Sequence, residues 1–564
     1  MMLYQSDKMC TAQGDPFLSI LHTLLQILTA LLAAPSLMYS MVGDAQDMAN
    51  APGFVLASTP VSAINGTDSS ADGNVLHMAL DEIQDDEEQE YVHPWVKLQQ
   101  HINHSKRRLA QMKDISEPSD EELQQAMQRR QSLVDEELRA KGDSMLEFSP
   151  PRVKHMPRGE VLEESSDSIV RARRFGSGAY RPSTIKTSSE RRVSSGSTAL
   201  RGGLQARGGY SSVEAKAESQ YSVTQASQPS APDTAGLAIE ANDVGYFVTV
   251  KIGTSNSQYK MLVDSGSSDT WITGTNCKCG GSNRNKFGKS SSSSLKTNND
   301  QYKISYGTGD VSVQLGTDTF EVAGLKLDKF TFGMASSESN EFGASKIPFD
   351  GLLGLGGSSL SVTNQDTVID ALKKANKVKA PIVGYRLGRA ADGSGENRGQ
   401  ITFGGVDQSQ ISGSLTQMDN QSNKGYWEVK LDSVSVGGKQ VSGSSTAILD
   451  TGTSLIIAPQ DAADAIHQAI DGAKPDGNGG YTLPCTTKAQ VSFTFAGKSF
   501  KMDSRDLLFA PKDSNNLKGT CVSAVSTGST MNGAGWLLGA AFLKNVYLAT
   551  NTDANQIGLG QLNQ

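Results

Sequence analysis

The chain of 564 residues holds only five cysteines and seven histidines. The histidines are scattered and no H-E-x-x-H occurs, which excludes the helix-borne zinc hydrolase pattern. The cysteines, Cys10, Cys277, Cys279, Cys485 and Cys521, lack the spacing of a zinc site. No metal and no cofactor is therefore expected. A basic field is missing too: residues 241–564 carry 29 Lys and Arg against 28 Asp and Glu. Nucleic acid is not an expected partner, and the net charge of −8 arises upstream. Apolar residues make up 37% of the chain, low for a wholly globular protein, so particular segments must be poor in core-forming side chains. The length itself implies about two to four units.

Long hydrophobic runs are scarce as well. The one strong candidate is PFLSILHTLLQILTALLAAPSLMYS, residues 16–40. It is long enough for the apolar core of a signal peptide and nearly long enough to span a bilayer. Asp7, Lys8 and Asp15 make a weak basic flank and no clean small-residue cleavage site follows, so residues 1–40 read as a signal peptide or an uncleaved signal anchor. The C-terminal GLGQLNQ carries neither a hydrophobic tail nor a retention signal. In an exported chain the four cysteines of the C-terminal part read most simply as two short-range pairs.

What is present changes along the chain. Residues 44–78 are small and polar, a linker with Asn65-Gly66-Thr67 as a glycosylation acceptor. Residues 79–142 are charged and helical in pattern: Ser119 and Glu122 form a capping box, and Leu123, Met127, Val134 and Leu138 follow near helical spacing. Such a helix is either a solvated charged face or a segment that docks on the rest of the protein. Residues 175–233, rich in Ser, Gly, Arg and Gln, are expected to be disordered. Basic clusters at Lys106-Arg107-Arg108, Arg129-Arg130, Arg171-Ala172-Arg173-Arg174 and Arg191-Arg192 are candidate processing points. The RARR before FGSGAY looks like a furin- or kexin-type site.

From about residue 240 the texture becomes short runs of Val, Ile, Tyr and Thr punctuated by Gly and Asn, as in GYFVTVKIG, YKMLVDSG and QYKISYG. This indicates an all-β unit. Helices are predicted only over DTVIDALKKAN (366–376) and PQDAADAIHQAI (459–470).

Two stretches in this region match. LVDSGSSDTW (262–271) and AILDTGTSLIIAP (447–459) each place Asp after two apolar residues and before a hydroxyl residue and glycine. One such motif is only a turn signal. Each, however, is followed by Leu-Leu-Gly, beginning 88 residues after Asp264 at Leu352 and 87 residues after Asp450 at Leu537. An internal duplication supplying one carboxylate per copy accounts for both repeats. Two carboxylates held together cannot both ionise cheaply, so the pair shares a proton and serves as acid and base at once.

With GYFVTVKIGT, the ISYGTGD hairpin, the FDGLLGLG block and the closing LLGAAFLKNVYLATNTDANQIGLG, residues from about 240 to 564 resemble a pepsin-like aspartic peptidase, here in a fungal-looking secreted proenzyme. The resemblance does not reach the first 230 or so residues. It implies an all-β, bilobal double β-barrel with a few short helices, preceded by a long pro-region. The expected division is 1–40 signal or anchor, 41–235 pro-region, 240–410 first lobe and 411–564 second lobe.

Carried over by position, the resemblance makes Asp264 and Asp450 the pair that activates the attacking water. Ser265 and Thr451 would brace the two turns, Ser267 and Thr453 would donate to the carboxylates, and Gly266 and Gly452 would let substrate backbone approach. Ser265 departs from the family's more frequent Thr but keeps the hydroxyl. Tyr306 is the expected flap tyrosine with Trp271 as its partner, and Gly307, Thr308 and Asp310 form the tip, where Asp310 would attract Lys or Arg. Leu262, Phe349 and Leu352 are candidate pocket residues or plain core. The family resemblance also implies the disulfide Cys485–Cys521; for Cys277 and Cys279, a short bridge and two free thiols both stay open.

The implied function is acid endopeptidase action on polypeptides by a monomer made as a zymogen, in which a basic pro-region side chain pairs with the carboxylates. Which Lys or Arg does so is not evident from the sequence. Localisation would be extracellular or vacuolar, with membrane attachment if the N-terminal segment stays. Two alternatives remain: a catalytically inactive pepsin-like binding or inhibitor module, and a scaffold whose functional part is the N-terminal region. The helical pattern there is too short for a sustained heptad seam.

Overall fold

The computed structural model describes residues 93–140, 210–220, 222–255, 257–279, 284–307, 309–339, 342, 347–393, 396–527 and 535–563. The apolar segment 16–40, Asn65, residues 79–92, the RARR cluster, the stretch 175–209 and Thr308 lie outside them. Everything described below belongs to one unit, Pro60–Gln564. Among the described residues no helix is long and apolar enough to cross a membrane.

Strands dominate, as the β texture predicts. A nine-stranded sheet makes the body of the first lobe, and sheets of five, four and four strands make that of the second. A six-stranded sheet joins the two, combining Ile382–Arg386 and Gln400–Phe403 with Ile411–Asp419, Val546–Asn551 and Gln556–Leu562, and ending on Thr234–Gly236. The duplication inferred from Leu-Leu-Gly is visible as strand register. Gly351–Gly354 runs parallel to the strand ending at Asp264, pairing Leu352 with Leu262 and Gly354 with Asp264, and its other edge meets Trp271 and Ile272 antiparallel. In the second lobe Trp536–Leu538 runs parallel to Ser445–Leu449, pairing Leu538 with Leu449, and antiparallel to Ile456 and Ile457. Each strand is buried on both faces, which is why these segments are continuous apolar runs and not alternating ones.

The predicted helices form as Val368–Lys374, capped by the Thr367 side chain, and Gln460–Gln468 directly after Pro459. Upstream, the pattern of residues 79–142 becomes two helices. The first, α1 (Pro94–Lys113), starts at His93, whose ring accepts from Trp95 N, and stops at Asp114, which turns left-handed at φ 55°. Trp95, Leu98, Ile102 and Leu109 recur on its buried side. The second, α2 (Asp120–Ala140), begins with the predicted capping box: Glu122 N donates to Ser119 Oγ at 3.2 Å and Ser119 N to Glu122 Oε2 at 2.9 Å. Leu123 and Val134 are buried, but so is Arg130, fully.

One expectation needs correction. Against the disorder expected for 175–233, the described residues of that stretch are ordered, and α3 (Ser212–Gln220) forms behind a second capping box between Ser211 and Glu214. Tyr210 and Ala217 are buried there, and Tyr210 N donates to Cys485 O at 3.2 Å. Composition marks this stretch as unable to form its own core; docking on the second lobe supplies one.

Both short-range cysteine pairs are disulfides, with Cα–Cα distances of 4.9 Å for Cys485–Cys521 and 5.1 Å for Cys277–Cys279. The former lies beside the Leu483–Cys521 strand pair and closes a loop of 36 residues. Replacing both Cys485 and Cys521 by Ser is expected to lower unfolding stability by roughly 2–4 kcal/mol, from loop-closure entropy restored to the unfolded chain. Urea titration of the variant beside the parent protein measures it, and an unchanged midpoint would contradict it.

Candidate active site

The two repeated turns meet where the lobes join. Asp264 ends the strand Ser257–Asp264 and Asp450 follows Ser445–Leu449; both are buried. Each carboxylate is held the same way. Asp264 accepts from Gly266 N at 2.9 Å and Ser267 Oγ at 2.6 Å. Asp450 accepts from Gly452 N at 3.0 Å and Thr453 Oγ1 at 2.5 Å. Between the turns Ser265 and Thr451 exchange bonds: Ser265 N donates to Thr451 Oγ1 at 2.9 Å and Thr451 N to Ser265 Oγ at 3.0 Å. Their hydroxyls donate onward to Leu449 O and Val263 O, so each turn is tied to the strand of the other lobe.

The glycines have a reason the sequence does not disclose. A Cβ on Gly266 would lie 2.6 Å from Asp450 Oδ1, and one on Gly452 would lie 2.4 Å from Asp264 Oδ1. Each glycine makes room for the opposite carboxylate. The Leu-Leu-Gly glycines are equally constrained, since a Cβ on Gly354 would meet the backbone of Ser268 at 2.5 Å and one on Gly539 the carbonyl of Thr453 at 2.3 Å. Motif and repeat are therefore one device, in which the buried strand supports the Asp turn from below.

These paired turns decide the relationship. The family model for eukaryotic aspartyl protease matches residues 245–562, more than half of the chain. The chain belongs to the eukaryotic aspartyl protease family. It is 36% identical over 346 residues to a "Probable aspartic-type endopeptidase CTSD" of Arthroderma benhamiae, covering 61% of this chain and 66% of that one, just under two thirds of its length. It is 33% identical over 344 residues to the "Aspartic-type endopeptidase ctsD" of Aspergillus fumigatus, covering 60% of this chain and 70% of that one. To Rhizopuspepsin-4 of Rhizopus niveus it is 35% identical over 327 residues, covering 57% and 79%.

Several of the other expected residues lie together in one cluster. Tyr306 is buried, its hydroxyl accepts from Trp271 Nε1 at 2.9 Å, and its backbone closes the hairpin with Gly309. Burial holds the phenol well above its ordinary pKa, so it stays a neutral donor. Leu262, Phe349 and Leu352 fall in one apolar cluster with Trp271 and Tyr306. Sequence reasoning missed a member of that cluster, Phe342, whose ring packs edge-on against Trp271 at 5.7 Å and Tyr306 at 5.3 Å. It lies in SNEFGASK, which has no repeat or periodicity to mark it. Asp310 faces away into a pair with Lys303 at 3.1 Å. Cys277, Cys279 and Glu338 come together as a possible donor set. The two sulfurs are bonded to each other, and Glu338 is taken by Arg284 at 2.6 Å and Thr273 at 2.7 Å.

Into this site comes a side chain from outside the matched region. Arg108, on α1, donates through Nη2 to Asp264 Oδ1, through Nε to Asp450 Oδ2 at 2.5 Å and through Nη2 to Asp450 Oδ1 at 3.0 Å. Burial opposes its charge, but the two carboxylates more than offset that and hold the guanidinium above its ordinary pKa. Burial pushes the Asp450 carboxyl up, against the pull of Arg108 and with the help of Asp264. The flap closes on the same helix: a Cβ on Gly307 would lie 2.7 Å from both Arg108 N and Cβ. The sequence marked Lys106-Arg107-Arg108 only as a basic cluster. Helix geometry separates its members, since Arg107 pairs with Asp120 at the start of α2 while Arg108 enters the cleft.

The brace makes a direct prediction. Thr451→Val keeps the shape but strips a buried acceptor and donor, so it is expected to cost roughly 2–4 kcal/mol of stability, whereas Ser265→Thr, which keeps the hydroxyl, is expected to cost less than about 1 kcal/mol. Denaturant titration of the two variants checks the contrast.

Proposed function

We propose that the body from about residue 245 onward is an acid-acting aspartic endopeptidase and that α1 and α2 are its intramolecular inhibitor. The observation that carries this is the guanidinium of Arg108 bridging both carboxylates, in the space where a water and a peptide carbonyl would otherwise sit. With the helix gone, two buried carboxylates must share a proton. The ionised one takes a proton from water as its oxygen attacks the carbonyl carbon, and the protonated one gives its proton to the carbonyl oxygen. The gem-diol collapses as a proton passes to the leaving nitrogen and the C–N bond breaks. Ser267 and Thr453 hold the carboxylates in place, and Tyr306 with the flap would cover the extended peptide and exclude water. The cluster around Leu262, Phe342, Phe349 and Leu352 suits a bulky apolar side chain, whereas the charge of Asp310 is taken by Lys303.

Acid would release the inhibitor. Arg108 loses its anchor as the carboxylates protonate, and α1 carries two further acid-sensitive groups. His101 is pushed down to about 3 by burial and by Lys97 and His104, and His104 to about 4 by burial and by Arg107. Both are neutral while docked but would charge near 6.5 when released. Protonation on falling pH therefore favours the released state, and docking weakens as pH falls from about 6.5 to about 4 through His104 and to about 3 through His101. Glu240, beside Lys97 and pushed up to about 7 by burial, acts with the opposite sign. An exported, vacuolar or extracellular enzyme made as a zymogen and working as a monomer fits this acid trigger.

Two experiments test the reading. The acidified protein is expected to cleave a denatured protein substrate in a pepstatin-sensitive way, with Asp264→Asn or Asp450→Asn lowering the rate at least about 10³-fold. Cleavage that survives either substitution overturns the mechanism, and well-folded but inert parent protein would favour a binding module. His101→Gln combined with His104→Gln is expected to move the midpoint of activation to lower pH, read by stopping aliquots across a pH series; an unmoved midpoint removes the histidines from the trigger.

A further inference from the structure

The pair Arg129-Arg130, marked in the sequence only as a basic cluster, has a destination that the inhibitory contact at Arg108 does not use. Arg130 is completely buried, and its Nη1 donates to Asp476 Oδ2 at 2.6 Å. Arg129 Nε donates to the neighbouring Asn478 Oδ1 at 3.0 Å. Both acceptors belong to one hairpin of the second lobe, between the paired strands Lys474–Pro475 and Tyr481–Pro484.

That hairpin holds the Asp476 carboxylate by itself, whereas the Asn478 amide also donates to Gln99 Oε1 at 3.1 Å and Ala126 O at 2.8 Å on the two helices. Asp476 Oδ1 accepts from Asn478 N at 2.8 Å and Gly480 N at 3.0 Å, and Asp476 N donates to Gly480 O at 3.0 Å. Oδ2 is thereby left aimed at a guanidinium. The space is shaped for it: a Cβ on Gly480 would lie 2.3 Å from Asp476 Oδ2 and 3.2 Å from Arg130 Nη2. The remaining contacts of Arg130, with the Trp95 ring at 5.5 Å and Gln99 Oε1 at 2.9 Å, come from α1 and leave with it. What stays on the enzyme is an ordered carboxylate beside an amide oxygen, both newly open to solvent.

We propose that in the processed enzyme the hairpin of Asp476, Asn478 and Gly480 is a binding site for an arginine side chain of the peptide substrate, remote from the scissile bond. The proposal rests on the endopeptidase reading above and adds a substrate class to it. Gln99 and Arg108 lie on one helix nine positions apart, so the cradle sits about 14 Å along α1 from the carboxylate pair, at 1.5 Å per residue. An extended peptide rises about 3.3 Å per residue, which puts the arginine roughly three to six residues from the bond that is cut. Arginine suits the site better than lysine, because its fork can reach the Asp476 and Asn478 oxygens together, while an ammonium is a single point charge.

The test uses the full chain, activated by acid and freed of its pro-region, near pH 5, where ordinary carboxylates are ionised. A set of fluorescein-labelled peptides shares one cleavable apolar core and carries a single Arg, Lys or Gln three to six residues away on either side. The Arg peptide at one of these positions is expected to show a kcat/KM roughly three- to tenfold above its Gln counterpart, mainly through KM, with Lys between them. In Asp476→Asn, which keeps the acceptor for the two backbone donors, and in Asn478→Ala, that ratio is expected to fall towards one, while melting temperatures confirm folding. Equal rates for Arg and Gln at every position, or a preference that persists in Asp476→Asn, would overturn the proposal. Should no peptide be cut, the endopeptidase reading fails on its own, and the Arg-to-Gln ratio of Kd from fluorescence anisotropy still decides the cradle.

Discussion

Two carboxylic acids buried side by side at the junction of the lobes impose a constraint that the surrounding structure meets. Each would repel the other if both were ionised, and each is cut off from water that could soften the repulsion. The fold answers with geometry: two backbone amides, two side-chain hydroxyls and a cross-lobe exchange between Ser265 and Thr451 hold the acids in one relation. Glycine at positions 266 and 452 is what lets them come so close. The buried Leu-Leu-Gly strands then act as a floor, which makes the duplication a mechanical requirement of the pair.

With α1 docked, the same constraint is met with charge. A single guanidinium spans both acids, and a buried cation between buried anions is a stable arrangement only while all partners are present. Under the inhibitor reading proposed above, that dependence would make the site a switch, because protonating the acids removes the reason for Arg108 to be there. Among the described residues, the chain upstream of α3 is helical and lends no strand to any sheet. The edge of the six-stranded sheet is already filled by Thr234–Gly236, so the helical pair can leave without a strand having to be exchanged.

The helical pair touches the enzyme at several separate places. Arg108 enters the cleft, Lys113 reaches Glu428 and Thr446, and Arg129 and Arg130 fill the hairpin at Asp476. The segment thus docks both through an apolar stripe, in which Trp95, Leu98, Ile102 and Leu109 join the main core, and through directed ionic contacts. Such contacts respond to pH and salt more strongly than apolar burial does. The acid-released inhibitor proposed above would be well served by them.

The sequence by itself determined the β texture, the two acids, the duplicated Leu-Leu-Gly strands and the helix caps, because each is written in residues adjacent in the chain or in a repeat, while Tyr306 and Trp271 were marked by the family resemblance. The sequence also made helix out of residues 120–140, through the Ser119–Glu122 box and the apolar spacing. Only the tertiary structure decided which arginine of the four basic clusters enters the cleft, that α3 is ordered, that Phe342 joins the apolar cluster of Trp271 and Tyr306, and that each glycine of the Asp turns accommodates the opposite acid. Those outcomes join residues far apart in the chain, and no local propensity or period encodes where a long side chain meets its partner once two lobes and a helix pair have closed.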